Sequence, residues 1–283
     1  MRTTPFAHWK TAGEKFDETI RGVAESILGF PFTSEAYTQA CLTPSLGGLG
    51  LRRTVDHADA AFAASFHESQ AIAKENWVEP PGLKSRMSDA SYKIDSDIQR
   101  LVASAPTARE RKRLDRICQP HAGAFVTALP STDDGMDTVM KPQLFRTAVA
   151  YRLGVRVVPD ETYCPLCQQI IDVSGDHASC CAKNGGLIKR HNRIRNLVLR
   201  FCREAHLSPV LEKLGIVQNN PLCRPGDVTL PIWANDRGLA IDVAVTSPFC
   251  SSGNKTSCRH LRTKSETRKI RCRLQVLFLC HGF

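Results

Sequence analysis

The stretch YCPLCQQIIDVSGDHASCC, residues 163–181, constrains the fold of this chain more than any other feature. It places Cys164 and Cys167 on one tight turn and follows them, ten residues later, with His177 and then two adjacent cysteines. Three thiolates and one imidazole can close a tetrahedron around Zn²⁺ and leave no open coordination position. The pattern therefore predicts a structural zinc site made of Cys164, Cys167, His177 and a fourth cysteine.

Two adjacent cysteines are candidates for the fourth ligand. Cys181 is favoured because three residues separate it from His177, a spacing that is usual in zinc knuckles. Cys180 remains an alternative. A redox pair is the other interpretation of Cys164 and Cys167. Such a pair normally opens a helix in a βαβ unit, and no pattern of that kind surrounds this one.

The cellular setting follows from the cysteines and the lack of export signals. Twelve cysteines would indicate disulfides in a small secreted protein, but this chain has 283 residues. Its first ten residues, MRTTPFAHWK, lack the apolar core of a signal peptide, and no apolar run approaches the ~18 residues of a membrane span. We therefore predict an intracellular, nuclear protein with neither a membrane nor a small-molecule substrate as its partner.

The net charge of +10 is unevenly distributed along the chain. From Lys183 to the end there are 18 Lys and Arg against 6 Asp and Glu, whereas the first 182 residues carry 20 against 22. A polyanion such as nucleic acid is the partner that a basic surface of this kind favours. A solvated basic face without a partner is the alternative interpretation.

Helical periodicity dominates the first part of the chain and gives way to mixed patterns after about residue 158. Helices are predicted over 7–30, 56–75, 96–105, 108–129, 142–155 and 190–207. We predict an α+β fold with a helical region over 1–158, a zinc knuckle over 159–183 and a mixed α/β domain over 184–283. The chain stops on the apolar run LQVLFLCHGF, which indicates that this last domain is truncated or altered at its C-terminus.

Two strand-like runs, DVTLPIW and LAIDVAV, carry one aspartate each. A two-residue turn at 235–236 would place Val228 opposite Val243 and would match the apolar faces of the two strands. Asp227 and Asp242 then share the other face as diagonal neighbours, so their carboxylates can approach one cation. Close carboxylates repel unless a cation intervenes, and oxygen ligands favour Mg²⁺ or Mn²⁺. An ordinary solvated sheet face is the alternative.

These motifs together resemble one protein family. A Cys-Cys-His-Cys knuckle, then RHN, then RPGDV, then an aspartate fifteen residues later looks like the C-terminal part of non-LTR retrotransposon reverse transcriptase proteins. That part carries a restriction-like endonuclease of the PD-(D/E)XK class, in which a mixed sheet flanked by helices cuts DNA with a divalent metal. The segment LTPSLGGLGLRR resembles the one that follows the polymerase core, so residues 1–158 would be a thumb and connector remnant. No Tyr-x-Asp-Asp motif occurs, so no polymerase activity is expected.

The resemblance also implies roles for acidic residues and for a lysine. Asp227 and Asp242 would be the catalytic carboxylates that bind Mg²⁺ or Mn²⁺, with Glu212 on an element beside them. Many such nucleases place a lysine two positions after the second aspartate, where this chain has Ala244. A following helix can supply that lysine instead, and the candidates are Lys264, which is preferred, Lys255 and Lys269.

Basic residues near these carboxylates are the predicted contacts to nucleic acid. Arg190 and His191 match the family's basic pair ahead of the nuclease core, and Arg193 and Arg224 are assigned to the same role. The prediction is therefore a retroelement-derived DNA-binding protein with a metal-dependent endonuclease domain, for which RNA is the other candidate partner. The alternative is a catalytically dead, zinc-stabilised DNA- or RNA-binding remnant.

Overall fold

Helices and strands are unevenly distributed in this computed structural model of the protein. The residues that the structure describes are 4–73, 97, 100–129, 139–215, 221–222, 224, 226–234, 237–245, 249 and 269–270. The chain divides into two units, Met1–Val157 and Val158–Phe283. Because helices and sheet are both present, the predicted α+β class is confirmed at this coarse level. No helix in the described ranges is long and apolar enough to cross a membrane.

The first unit is built from helices in its described parts. Its α-helices are α1 (Lys10–Leu28), α2 (Ser34–Cys41), α3 (Thr54–Ala73), α4 (Ala108–Ile117), α5 (Ala124–Thr127) and α6 (Pro142–Leu153). Single 3-10 turns cover Phe6–His8 and Pro44–Leu46, and residues 100–103 are also helical. The single helix predicted over 108–129 is wrong, because α4 and α5 are separated by turns over 118–123. Pro120 in that interval has no backbone N–H to continue a helix.

The end of α1 shows how the sequence sets the helix boundaries in this unit. Gly29 adopts the left-handed conformation with φ 77°, and its N–H donates to the carbonyl of Glu25. Glycine reaches this conformation without the steric cost that a Cβ brings, so the predicted stop at this position is confirmed. The chain then turns back, so that Leu28 packs in one buried cluster with Val149 and Leu153 of α6.

A carboxylate from α1 caps the first turn of α3. Asp17 is buried, and its two oxygens accept hydrogen bonds from the backbone N–H groups of Thr54 at 2.8 Å and of Val55 at 3.1 Å. These are N–H groups at the start of a helix, which have no partner within the helix itself. The cap therefore joins two helices through residues that are 37 positions apart in sequence.

Replacing Asp17 by alanine should lower the free energy of unfolding of the first unit by about 1–2 kcal/mol, because two N–H groups lose their acceptor. Asp17→Asn keeps one acceptor oxygen and should cost less. Urea unfolding followed by helical circular dichroism measures both changes. Glu18→Ala, at the exposed neighbouring position, is the control and should stay within about 0.5 kcal/mol of the wild type. An Asp17→Ala protein as stable as that control would contradict the capping role.

A glycine-rich loop between α2 and α3 folds around the buried guanidinium of Arg152. That guanidinium donates to three backbone carbonyl oxygens, those of Gly48 at 3.2 Å, Ala122 at 3.1 Å and Pro44 at 2.5 Å. Burial of an arginine is costly unless its donors are satisfied, and here two carbonyls of this loop and that of Ala122, between α4 and α5, accept from it. The segment LTPSLGGLGLRR, singled out above, is therefore an ordered part of the core of this unit.

The second unit combines two small sheets with two α-helices in its described residues. The helices are α7 (Asp176–Cys180) and α8 (Gly186–Glu204), with a 3-10 turn over Ala182–Asn184. The strands are β1 (Thr162–Tyr163), β2 (Ile170–Ile171), β3 (Val210–Leu211), β4 (Val228–Ala234), β5 (Arg237–Ile241) and β6 (Lys269–Ile270). β1 and β2 form an antiparallel pair, while the other four lie in the order β3-β4-β5-β6 with only the last pair parallel.

The predicted register of the aspartate hairpin is wrong by two residues. Val228 lies opposite Ile241 instead of Val243, because the pairing shifts between Leu230 and Ala234. Pro231 lies in that interval and cannot donate to the ladder, which accounts for the irregularity. A shift of two residues keeps every side chain on its predicted face. Asp242 is also not within a strand, since β5 ends at Ile241.

Helix α8 covers one side of the larger sheet. Its apolar side chains follow helical spacing, and Ile194, Leu199 and Cys202 are buried. Cys202 packs in a buried cluster with Leu230 of β4 and Leu239 of β5. This packing holds α8 against β4 and β5, whose ends adjoin Asp227 and Asp242.

Candidate metal centre and basic helix

Three cysteines and one histidine converge in the first part of the second unit. The ligand atoms of Cys164, Cys167, His177 and Cys181 all lie within 4.8 Å of one another. The Cys167 Sγ is 3.1 Å from the His177 Nε2, and the Cys181 Sγ is 3.8 Å from the Cys164 Sγ. Thiolates and imidazole at these separations match the donor set of a tetrahedral Zn²⁺ site. The cluster can therefore hold one zinc ion.

Local structure explains why these four side chains meet. β1 and β2 form a hairpin whose turn carries the CxxC pair, and Gln168 takes up φ 62° so that its N–H donates to the carbonyl of Cys164. Gly175, at φ 73°, then permits the chain to enter α7, which carries His177. The short strands and the short helix bury little apolar surface, so a metal ion would contribute much of the stability of this segment.

Contacts within the cluster shift the pKa values of the two CxxC thiols in opposite directions. The backbone N–H of Leu166, followed by the N–H of Cys167 and the His177 side chain, lowers the pKa of the Cys164 thiol to about 6. A thiol whose pKa is lowered in this way is largely a thiolate near neutral pH, and the thiolate is the form that binds metal. The backbone N–H of Gln169 lowers the pKa of the neighbouring Cys167 thiol, but burial and the sulfurs of Cys164 and Cys181 outweigh it and raise that pKa, so the two thiols of the CxxC pair differ in their tendency to ionise.

The structure separates the two candidates for the fourth position. Cys181 is buried and its Sγ lies 3.7 Å from the Cys167 Sγ. The Cys180 side chain instead contacts the hydroxyl of Ser179, with 3.4 Å between the Sγ and the Oγ. Cys181 thus joins the cluster, and Cys180 does not.

The predicted catalytic carboxylate of Asp227 contacts protein groups. Its Oδ2 accepts a hydrogen bond from the backbone N–H of Val243 at 2.6 Å and lies 3.3 Å from the His191 Nε2. Continuing the observed register by one step from Val228 and Ile241 places Asp227 opposite Asp242. Gly226 is required beside it, because a Cβ at that position would lie 2.7 Å from the Ile241 carbonyl oxygen.

Glu212 forms ion pairs with two arginines. Its carboxylate contacts Arg195 of α8 at 2.6 Å and Arg224 at 2.8 Å. Its backbone N–H donates to the carbonyl of Asp227, so the two acidic residues lie on neighbouring chain segments. Arg195 was not predicted to contribute here, although it lies one helical turn after His191 and so faces the same side of α8.

The four predicted nucleic-acid contacts have different surroundings. Arg190 donates to the carbonyl of Ser179 at 2.5 Å, His191 contacts Asp227, and Arg224 pairs with Glu212. Arg193 is exposed, and within the described part of the chain its side chain makes no hydrogen bond or ion pair. Of the candidate lysines, Lys269 lies in β6, whereas Lys255 and Lys264 lie outside the described residues.

Taken together, the fold and the cluster define a mixed helix-and-sheet protein with a candidate Cys3His metal centre. Among the described residues, this cluster is the one group of three or more Cys, His, Asp or Glu side chains that could share an ion. No family model, curated protein or solved structure matches the chain.

Proposed function

We propose that the second unit is a nucleic-acid-binding module in which one structural Zn²⁺ orders the Cys3His cluster. The main support is a basic helix, α8, that follows directly after this cluster. The two are linked, because Arg190 of α8 donates a hydrogen bond to the carbonyl of Ser179. The excess of 18 basic over 6 acidic residues from Lys183 onwards supports the same proposal. The retrotransposon origin is part of this proposal and rests on the sequence motifs alone.

A direct binding experiment tests this function. Fluorescence anisotropy of a labelled duplex DNA, titrated with zinc-loaded full-length protein, should give an affinity that falls steeply as the salt concentration rises. Single-stranded RNA of equal length serves as the second probe. An affinity that does not change with salt, or no binding of either probe at low salt, would reject nucleic acid as the partner.

A metal-dependent endonuclease is the second candidate. Asp227 and Asp242 would lie opposite one another in the observed register, and such a pair of carboxylates can bind Mg²⁺ or Mn²⁺. The contacts of the Asp227 and Glu212 carboxylates count against an active site. The Asp227 carboxylate is engaged by His191 and by the N–H of Val243, and the Glu212 carboxylate is neutralised by two guanidinium groups. We therefore favour binding without cleavage.

Plasmid nicking separates the two candidates. Supercoiled plasmid incubated with the wild-type protein and Mg²⁺ or Mn²⁺ should stay intact if the module only binds DNA. Nicking that disappears in both Asp227→Ala and Asp242→Ala would instead establish the endonuclease. Nicking that persists in both variants would point to a contaminating activity, and DNA binding by the same samples shows whether they are folded.

A further inference from the structure

The outward face of α8 carries a row of cations that the sequence motifs did not single out as a set. Lys189, Arg193 and Arg203 are exposed, and their side chains make no hydrogen bond or ion pair within the described residues. At 100° per residue the three lie within an arc of about 80° on the helix. Arg200 lies in the same arc and pairs with Glu204 at 2.6 Å.

The rotation of α8 about its axis is fixed by contacts on its other sides. Arg190 is held by the carbonyl of Ser179, while His191 and Arg195 contact Asp227 and Glu212. The buried face, which includes Ile194, Leu199 and Cys202, adds apolar packing. Because these contacts lie on three sides of the helix, the row cannot turn inward without breaking them.

We propose that this row, Lys189, Arg193 and Arg203, is the surface that contacts the phosphate backbone of a bound nucleic acid duplex. This inference rests on the proposed function and specifies which face of α8 binds the nucleic acid. From Lys189 to Arg203 the helix rises about 21 Å, which matches the rise of roughly six phosphates of one DNA strand. Phosphate contacts of this type carry no sequence information, so binding through the row is insensitive to base sequence.

Three of the four predicted nucleic-acid contacts have a different role in this arrangement. Arg190, His191 and Arg224 hold α8 and the neighbouring chain in place, because their side chains contact protein groups. Of the four residues that the sequence predicted, Arg193 alone belongs to the row. The side chains that contact protein groups therefore position the outward-facing cations.

The test is the salt dependence of DNA binding by a triple variant. Lys189→Gln, Arg193→Gln and Arg203→Gln, combined in the full-length zinc-loaded protein, should weaken binding of a duplex at ~0.1 M salt at least about tenfold. The slope of log K against log salt concentration should become shallower by about 2.7, which is three cations at about 0.9 each. The matched control combines Lys15→Gln, Arg52→Gln and Arg111→Gln, which removes three exposed cations from the first unit.

The outcomes distinguish the row from the function on which it rests. A shallower slope in the row variant but not in the control supports the row. Equal binding by wild type, row variant and control overturns the row and leaves nucleic-acid binding intact. No binding by the wild type overturns both. If the triple variant loses its zinc, the single variants Arg193→Gln and Arg203→Gln replace it, and each should change the slope by about 0.9.

Discussion

Cys181→Ser will abolish stoichiometric zinc binding, whereas Cys180→Ser will leave it intact. The Sγ of Cys181 lies 3.7 and 3.8 Å from two other thiols of the cluster, but the neighbouring Cys180 contacts the Ser179 hydroxyl. The apparent binding free energy of structural zinc in small zinc-dependent folds is roughly 10–16 kcal/mol at neutral pH. Loss of one ligand should therefore unfold the segment around the cluster. Elemental analysis of purified protein measures the zinc content directly, with one zinc per chain expected for the wild type.

The two cysteine variants form a matched pair, because each removes one sulfur from adjacent positions. Hydrogen exchange adds a structural measurement, and the amides of β1, β2 and α7 should lose protection in Cys181→Ser or after chelation of the wild type. Protection in the first unit, Met1–Val157, should not change. Equal zinc content in both variants would contradict the assignment of Cys181, and a wild-type protein without zinc after growth in zinc-containing medium would contradict the metal centre itself.

Local patterns in the sequence were sufficient to predict several features of the fold. The stop of α1 at Gly29 and the helical face of α8 follow from glycine conformation and from apolar spacing, which act within one or two turns. The cluster of Cys164, Cys167, His177 and a nearby cysteine could also be predicted, because its members are close in sequence. All four side chains come from eighteen consecutive residues, 164–181, so few backbone arrangements can separate them.

Features that depend on distant residues could not be predicted in the same way. The hairpin register failed because alternation fixes the face of a side chain but not its partner, and a shift of two residues leaves the faces unchanged. The contact between His191 and Asp227 joins residues 36 positions apart, so neither motif reveals it. The sequence also indicates several arginines in and near α4 and α6 without showing that Arg113 and Arg152 are the buried ones.

The contacts seen in the structure change the role assigned to the acidic residues of the second unit. In the sequence they were candidates for metal ligands, whereas in the structure Asp227 contacts the His191 imidazole and Glu212 forms an ion pair with Arg195, both on α8. Carboxylates that are already paired in this way stabilise the docking of a helix, and a divalent ion would have to compete with a guanidinium and an imidazole for them. These contacts of Asp227 and Glu212 are the reason why we propose binding without cleavage.

Gly48→Ala should destabilise the first unit by more than about 3 kcal/mol, the upper end of the usual cost of overpacking. A Cβ at this position would lie 1.9 Å from the Leu42 carbonyl oxygen and 2.5 Å from that of Gln39. Both are backbone atoms, so no side-chain rotation relieves the clash and the loop has to move. The carbonyl of Gly48 also accepts from the buried guanidinium of Arg152, which would lose that partner.

Gly22→Ala provides the control for this prediction, since both substitutions add one methyl group. Gly22 is exposed in the middle of α1 and nothing lies within 4 Å of the added Cβ. Alanine favours a helix over glycine by up to about 1 kcal/mol, so this variant should be slightly more stable than the wild type. Urea unfolding followed by helical circular dichroism compares the two. A Gly48→Ala protein that unfolds at the wild-type urea concentration would mean that the loop around Arg152 adapts at no cost, and that its glycine is not required by the packing described above.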